Sequence, residues 1–140
     1  MTSSMPRYRT PGFGATALLT ALHSPIGRGL RHNLCELRYV ARKSGRAIAL
    51  PVSYARSDDS VVVLVGHAGT KTWWRNFRSE RPVEIWLDGR WHSGTGHVAQ
   101  PDSLEHEEVA AIYQKAFPRT PAPITDPFVV VDVVTARPAG

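Results

Sequence analysis

The sequence predicts a mainly β domain of α+β type, closed as a barrel or sandwich, and three observations carry that prediction. Strand-length apolar or alternating segments follow one another from residue 34 onward, separated by turn-forming residues. One stretch, around residue 110, keeps a full helical period. The 140 residues suffice for one domain with a sizeable core and are too few for separate cofactor and substrate domains.

Taken in order, residues 1–14 hold Ser, Pro, Gly and Arg without an apolar period, which predicts a flexible N-terminus followed by a single domain over 15–140. Ala17, Leu18, Leu22 and Ile26 sit at helix-like offsets, interrupted by Pro25 and Gly27, and predict a short entry helix. Residues 34–41 and 47–56 read as strands joined by a turn at 42–46. Ser57-Asp58-Asp59-Ser60 is a second turn, and the all-apolar run 61–65 predicts a central strand. Thr70 or Thr72 can N-cap a short helix with Trp73, Trp74 and Phe77 on one side, stopped by Pro82. Val83, Ile85 and Leu87 alternate with Glu84 and Trp86, Asp88-Gly89 turns the chain, and residues 91–99 return. Asp102 and Glu105 resemble a capping box before the stripe Val109, Ile112, Tyr113 and Ala116, which ends at Pro118. After a proline-rich loop over 118–127, residues 128–135 form the sixth and last predicted strand.

The formal net charge is +5, and it is uneven. Residues 1–56 carry nine Arg or Lys against the single acid Glu36, so that half calls for an anionic partner: nucleic acid, an acidic membrane surface or a phosphorylated cofactor. A nucleic-acid binder needs basic residues interleaved with exposed aromatics, whereas the tryptophans here gather at 73–91; no nucleic-acid partner is expected. No run reaches the roughly 20 apolar residues of a membrane span. Residues 13–22 behind Arg7 and Arg9 imitate a signal peptide, but Ala21-Leu22-His23 is a poor cleavage site. Peripheral membrane contact through the N-terminal segment stays open. Cys35 stands alone, which rules out an intrachain disulfide and four-cysteine metal sites and suits a cytoplasmic protein.

Two segments suit a ligand. In Arg42-Lys43-Ser44-Gly45-Arg46, Gly45 is free to take a positive φ, and the turn can present charged donors and backbone N–H groups to a phosphate; an exposed basic hairpin explains it equally well. Gly66-His67-Ala68-Gly69 leaves a buried strand for a helix start, where a flat ring could approach the backbone, or where the chain simply connects strand to helix. Trp73 and Trp74 could wall such a ring, with one of them expected in the core. Asn76 could offer its amide to a ring carbonyl or close the helix. His92, His97 and His106 lack helical zinc spacing and Cys35 has no base nearby in sequence, so neither a metal site nor thiol chemistry is expected.

Together, Arg42-Lys43-Ser44-Gly45, Pro51, the strand and glycine-bearing loop over 61–69, and Trp73-Trp74-Arg75-Asn76 resemble the deazaflavin-dependent nitroreductase family of pyridoxamine-phosphate-oxidase-like proteins. The resemblance spans residues 17–135 and implies a six-stranded antiparallel split β-barrel with short flanking helices. It implies an oxidoreductase that uses coenzyme F420, a deazaflavin with a phosphate and an oligoglutamate tail, with FMN as the alternative. The acceptor would be a small organic molecule such as a quinone or nitro compound. By the same resemblance Arg42, Lys43 and Ser44 hold the phosphate and tail, while Ala49, Pro51 and Val52 back the ring. Val65, Gly66 and His67 line its edge, and Trp73, Trp74 and Asn76 complete the pocket.

Two departures stand out. Relatives often carry Ser-Lys where this chain has Gly66-His67, and their tyrosines after the long helix are replaced by Phe117-Pro118-Arg119. Tyr113, within the apolar stripe, reads as core, so no catalytic acid is assigned. Limited interior volume and four tryptophans point to a homodimer. A split barrel that carries flavin, haem or lipid without turnover is the competing reading.

Overall fold

The structure is a computed structural model that describes residues 19–23, 34–66, 68–120 and 126–134. Among them, seven strands form one antiparallel sheet: β1 (Leu34–Val40), β2 (Ala47–Ser53), β3 (Ala55–Ser57), β4 (Ser60–Leu64), β5 (Arg81–Leu87), β6 (Arg90–Ala99) and β7 (Phe128–Val133). One α-helix, α1 (Leu104–Ala116), and two 3-10 turns, Ala68–Thr70 and Trp73–Phe77, complete the described elements outside residues 19–23, which are helical. Residues 1–14, most of the predicted entry helix, His67, residues 121–125 and Thr135 lie outside the described residues, and so does nearly all of the segment expected to touch membrane. No described helix is long and apolar enough to cross a membrane.

The strand order is β2-β1-β5-β6-β7-β4-β3. The single strand expected over 47–56 is therefore two. β2 pairs with β1 along its whole length, and β3 pairs with β4 at the opposite edge, with Tyr54 alone between them. One continuous segment serving both edges forces the sheet to curl until those edges meet, which gives the split barrel and leaves few backbone groups unpaired. This bend accounts for seven strands where six were expected.

Alternation then sorts the side chains. Cys35, Leu37 and Tyr39 of β1, Leu50 and Val52 of β2, Val83, Ile85 and Leu87 of β5, and Val129, Val131 and Val133 of β7 face one interior core, together with Val61, Val63, Trp74 and Phe77. The opposite faces of β4 and β7 are buried too. Val62, Phe128 and Val130 pack on Val109 and Tyr113 of α1, which is why residues 61–65 are apolar without alternation. On the far side Leu19 and Leu22 cover Ala49 and Trp86. Beside them the buried Glu36 is held by Arg38 Nε and His23 Nε2, each at 2.5 Å.

Local chemistry explains the connections. Asp88 and Gly89 take φ of 51° and 80°, as a two-residue type I′ hairpin turn requires. The N-cap of α1 is Ser103 rather than Asp102: Ser103 Oγ accepts from the His106 N–H at 3.0 Å, while Asp102 at φ 72° lies outside the helix. Its buried stripe is accordingly His106, Val109 and Tyr113, and Ala116 is exposed. His106 is tolerated there because its Nε2 lies 2.7 Å from the Asp126 carbonyl oxygen. The short helix expected to be stopped by Pro82 ends at Phe77, with Arg78 as its C-cap, and Pro82 stands in β5 opposite Thr95. Thr72 is its N-cap residue but makes no side-chain cap bond. The Phe77 ring sits so close to β6 that a Cβ on Gly96 would lie 2.7 Å from it, so glycine at 96 lets the 3-10 turn dock on the sheet.

Candidate functional site

The β1–β2 turn takes the shape its residues suggest. Gly45 adopts φ 69°, its N–H donates to the Ala41 carbonyl at 2.9 Å, and the Ala41 N–H donates to the Arg46 carbonyl at 2.8 Å. Ser44 Oγ accepts from the Arg46 N–H at 3.3 Å. The turn is fastened to the 3-10 helix, because the Arg42 N–H donates to Asn76 Oδ1 at 2.8 Å and Asn76 Nδ2 donates to the Trp73 carbonyl at 2.8 Å. Arg42 Nη2 also donates to Ser79 Oγ. The Asn76 amide is thus engaged at both ends as a clip between two cationic segments.

Between those segments lies a cavity of about 670 Å³ lined by Arg42, Lys43, Ser44 and Asn76, all expected, and by Arg75 and Arg78, which sequence reasoning missed. A 3-10 helix has three residues per turn, so Arg75 and Arg78 project from the same side. Their guanidinium carbons stand 5.9 and 5.1 Å from the Trp74 ring centroid, an arrangement that steadies them by cation–π attraction. Among the described residues, four cations and no carboxylate line this cavity. Mutual repulsion of that kind is relieved by an anion.

A second cleft, of about 610 Å³, adjoins the first through Thr72, which lines both. Of the expected residues, Pro51, Val52, Gly66 and Trp73 line it; Leu50, Lys71, Thr72 and Tyr113 were not foreseen. A Cβ on Gly66 would meet nothing within 4 Å, so the bare backbone there borders open space that a flat ligand can occupy. The volume is in the range that holds drug-sized ligands.

The remaining expected residues lie elsewhere. Trp74 is buried, with its Nε1 donating to the carbonyls of Ala68 at 3.0 Å and Lys71 at 2.9 Å, and so anchors the segment while Trp73 faces the cleft. Ala49 shares the outer face of β2 with Pro51 but lies farther from the bend at Tyr54, beneath Leu19 and Leu22. Val65 points into the interior core. His67 lies outside the described residues. No described histidine lines either cleft: His97 Nε2 pairs with Glu105 at 2.6 Å, and His106 bonds the Asp126 carbonyl. Burial pushes the Cys35 thiol far up, with Glu36 adding to the effect, so it stays protonated and inert.

Against this geometry, the profile of the F420H2-dependent quinone reductases matches residues 15–134. No curated protein matches the chain by sequence. Among solved structures it is similar to the F420-H2-dependent reductase FDR-A, with a TM-score of 0.57 and 15% identity over 71% of this chain and 93% of that one. It is similar to a structure described as a domain-swapped dimer, with a TM-score of 0.58 and 15% identity over 83% and 92% of the two chains. HutZ, a haem storage protein from Vibrio cholerae, gives a TM-score of 0.52 and 13% identity over 82% and 91%. At such identities these structures share the split-barrel fold and nothing finer. The profile match, by contrast, runs through every strand and both clefts, and on that ground the chain belongs to the F420H2-dependent quinone reductase family of oxidoreductases.

Proposed function

We propose that this F420-dependent reductase transfers a hydride between the deazaflavin and a small organic acceptor such as a quinone or nitro compound. The ring lies in the cleft walled by Pro51, Val52, Gly66 and Trp73, and the phosphate and acidic tail lie in the cavity of Arg42, Lys43 and Ser44. The observation that carries this reading is the junction at Thr72 of a largely apolar cleft with a cavity whose charged residues, among those described, are all cations. A ligand that is flat at one end and polyanionic at the other fits that junction. Bound F420H2 supplies the two-electron donor; the protein supplies position and electrostatics.

The residues divide the work. Arg42, Lys43, Arg75 and Arg78 draw in and hold negative charge, and Asn76 keeps the two groups of cations at a fixed spacing. Trp73 and Pro51 exclude water from the ring face, and Gly66 leaves its edge room. FMN carries one phosphate and would leave part of the cation set unmatched, which favours F420. We further propose one domain over 15–140 and a homodimer, supported by the exposed Trp91 and Val40 on the outer sheet face. A reducing cytoplasm suits the free Cys35.

Calorimetric titration with F420 and FMN side by side tests the cofactor assignment. F420 is expected to bind at least tenfold tighter, about 1.4 kcal/mol; tighter FMN binding would overturn it.

A further inference from the structure

Lys71 stands at the rim of the cleft that also contains Pro51, Gly66 and Trp73, and among the described residues it is the only charged group lining that cleft. Its backbone is fixed there: the Lys71 N–H donates to the Ala68 carbonyl at 3.3 Å, and the Lys71 carbonyl accepts from Nε1 of the buried Trp74 at 2.9 Å. The side chain is exposed, so a hydrated ammonium on a flexible stem borders a largely apolar space. Lys71 does not line the neighbouring cavity, and the four cations of that cavity, Arg42, Lys43, Arg75 and Arg78, do not line the cleft. The polyanionic end of the cofactor is matched by those four. Hydride transfer needs donor and acceptor atoms about 3–3.5 Å apart, so the acceptor lies against the ring in the same cleft and its substituents meet the walls and rim.

We infer that Lys71 selects acceptors that carry a negatively charged substituent, a carboxylate or sulfonate on a planar conjugated body. The inference rests on the reductase reading above and narrows its acceptor class. Leu50, Pro51, Val52 and Trp73 offer the flat body an apolar wall, and the Lys71 ammonium pairs with the acidic group where it leaves the cleft. The field of the four neighbouring cations adds to that attraction and turns away cationic molecules of the same shape. The conjugated body takes the hydride while the acidic substituent keeps its charge, so Lys71 acts on binding and orientation.

The test uses full-length protein loaded with oxidised deazaflavin, which has no hydride to give. It is titrated by calorimetry with anthraquinone-2-carboxylate and anthraquinone-2-carboxamide, two planar quinones that differ in charge and hardly in shape. The wild-type protein should bind the carboxylate about 3- to 10-fold tighter at low salt, between an exposed ion pair and a charged hydrogen bond, and the preference should shrink as salt is raised. Lys71→Met should remove most of that preference and Lys71→Arg should keep it. Affinity for the carboxamide, affinity for F420 and the melting temperature should stay at wild-type values in both variants. Equal binding of the two quinones by the wild-type protein, or an undiminished preference in Lys71→Met, would overturn this inference and leave the reductase reading standing. A loss of F420 affinity in Lys71→Met with the quinone preference intact would assign Lys71 to the cofactor and overturn it as well. Failure of the wild-type protein to retain deazaflavin would overturn both readings.

Discussion

The backbone N–H of Arg42 donates to Oδ1 of Asn76 at 2.8 Å, and through that bond a side chain on the 3-10 helix sets the position of the cationic turn between β1 and β2. The clip sits at the mouth of the basic cavity and is part of its wall. Asn76→Ala should therefore lower stability by about 1–2 kcal/mol, as for a lost pair of hydrogen bonds, and weaken F420 binding as well. Asn76→Asp keeps the acceptor for Arg42 but loses the donor to the Trp73 carbonyl and adds negative charge, so it should recover only part of the stability and still weaken F420. Thermal melts and calorimetry on the two variants separate the effects.

Gly66 and Gly96 make a matched pair with opposite expectations. A side chain at 66 enters open space, whereas a Cβ at 96 collides with Phe77 at 2.7 Å. Gly66→Leu should leave the apo protein within about 0.5 kcal/mol of wild type and reduce F420 affinity by more than about tenfold through steric filling of the cleft. Gly96→Ala should destabilise by about 1–3 kcal/mol, as overpacking does. Denaturant unfolding and ligand titration of both proteins check this; a destabilised Gly66→Leu protein would contradict the open geometry.

Arg75 and Arg78 are exposed, so screening limits what each contributes. Replacing both by Gln should weaken F420 about 3- to 30-fold at low salt, as two partly screened ion pairs would. The loss should be smaller for FMN, and the dependence of F420 affinity on salt should flatten. Titrations at two ionic strengths measure this. Equal losses for the two cofactors would place the pair outside the tail site.

Alkaline stability follows from three buried groups. Burial pushes Tyr39 and Tyr54 from 10.0 up to about 12, and pushes the Cys35 thiol up from 9.0. Each folded group keeps its proton while its unfolded counterpart releases it, so the unfolded state binds fewer protons and stability falls with rising pH. The loss should begin near pH 9, with Cys35, and steepen between pH 10 and 12, with the tyrosines. Cys35→Ala should remove the earlier part of that decline, as read from melting temperatures at pH 8, 9 and 10.

Much of the fold was legible because alternation and turn chemistry are local. Val83, Ile85 and Leu87 face the core as their spacing implies, and Asp88-Gly89 forms the turn its residues favour. The break at Tyr54 was not legible, since nothing local distinguishes a strand that changes partners from one that does not. In the site, the cations of the β1–β2 turn were visible as a motif. Arg75 and Arg78 carried a signal that was overlooked, a three-residue spacing that a 3-10 helix turns into one face. Tyr113 carried none: its ring obeys the helical stripe, and the opening beside it exists only once α1, β2 and β4 come together.

Stopped-flow mixing of protein loaded with F420H2 against menadione, followed at the deazaflavin absorbance, is the most direct test that these two clefts form a reductase site. The account predicts stoichiometric reoxidation well above the protein-free rate. Trp73→Ala should slow it roughly 100-fold, since a small misplacement of the ring has that effect. Tight cofactor binding with reoxidation no faster than in the protein-free control would contradict the account and identify a carrier instead.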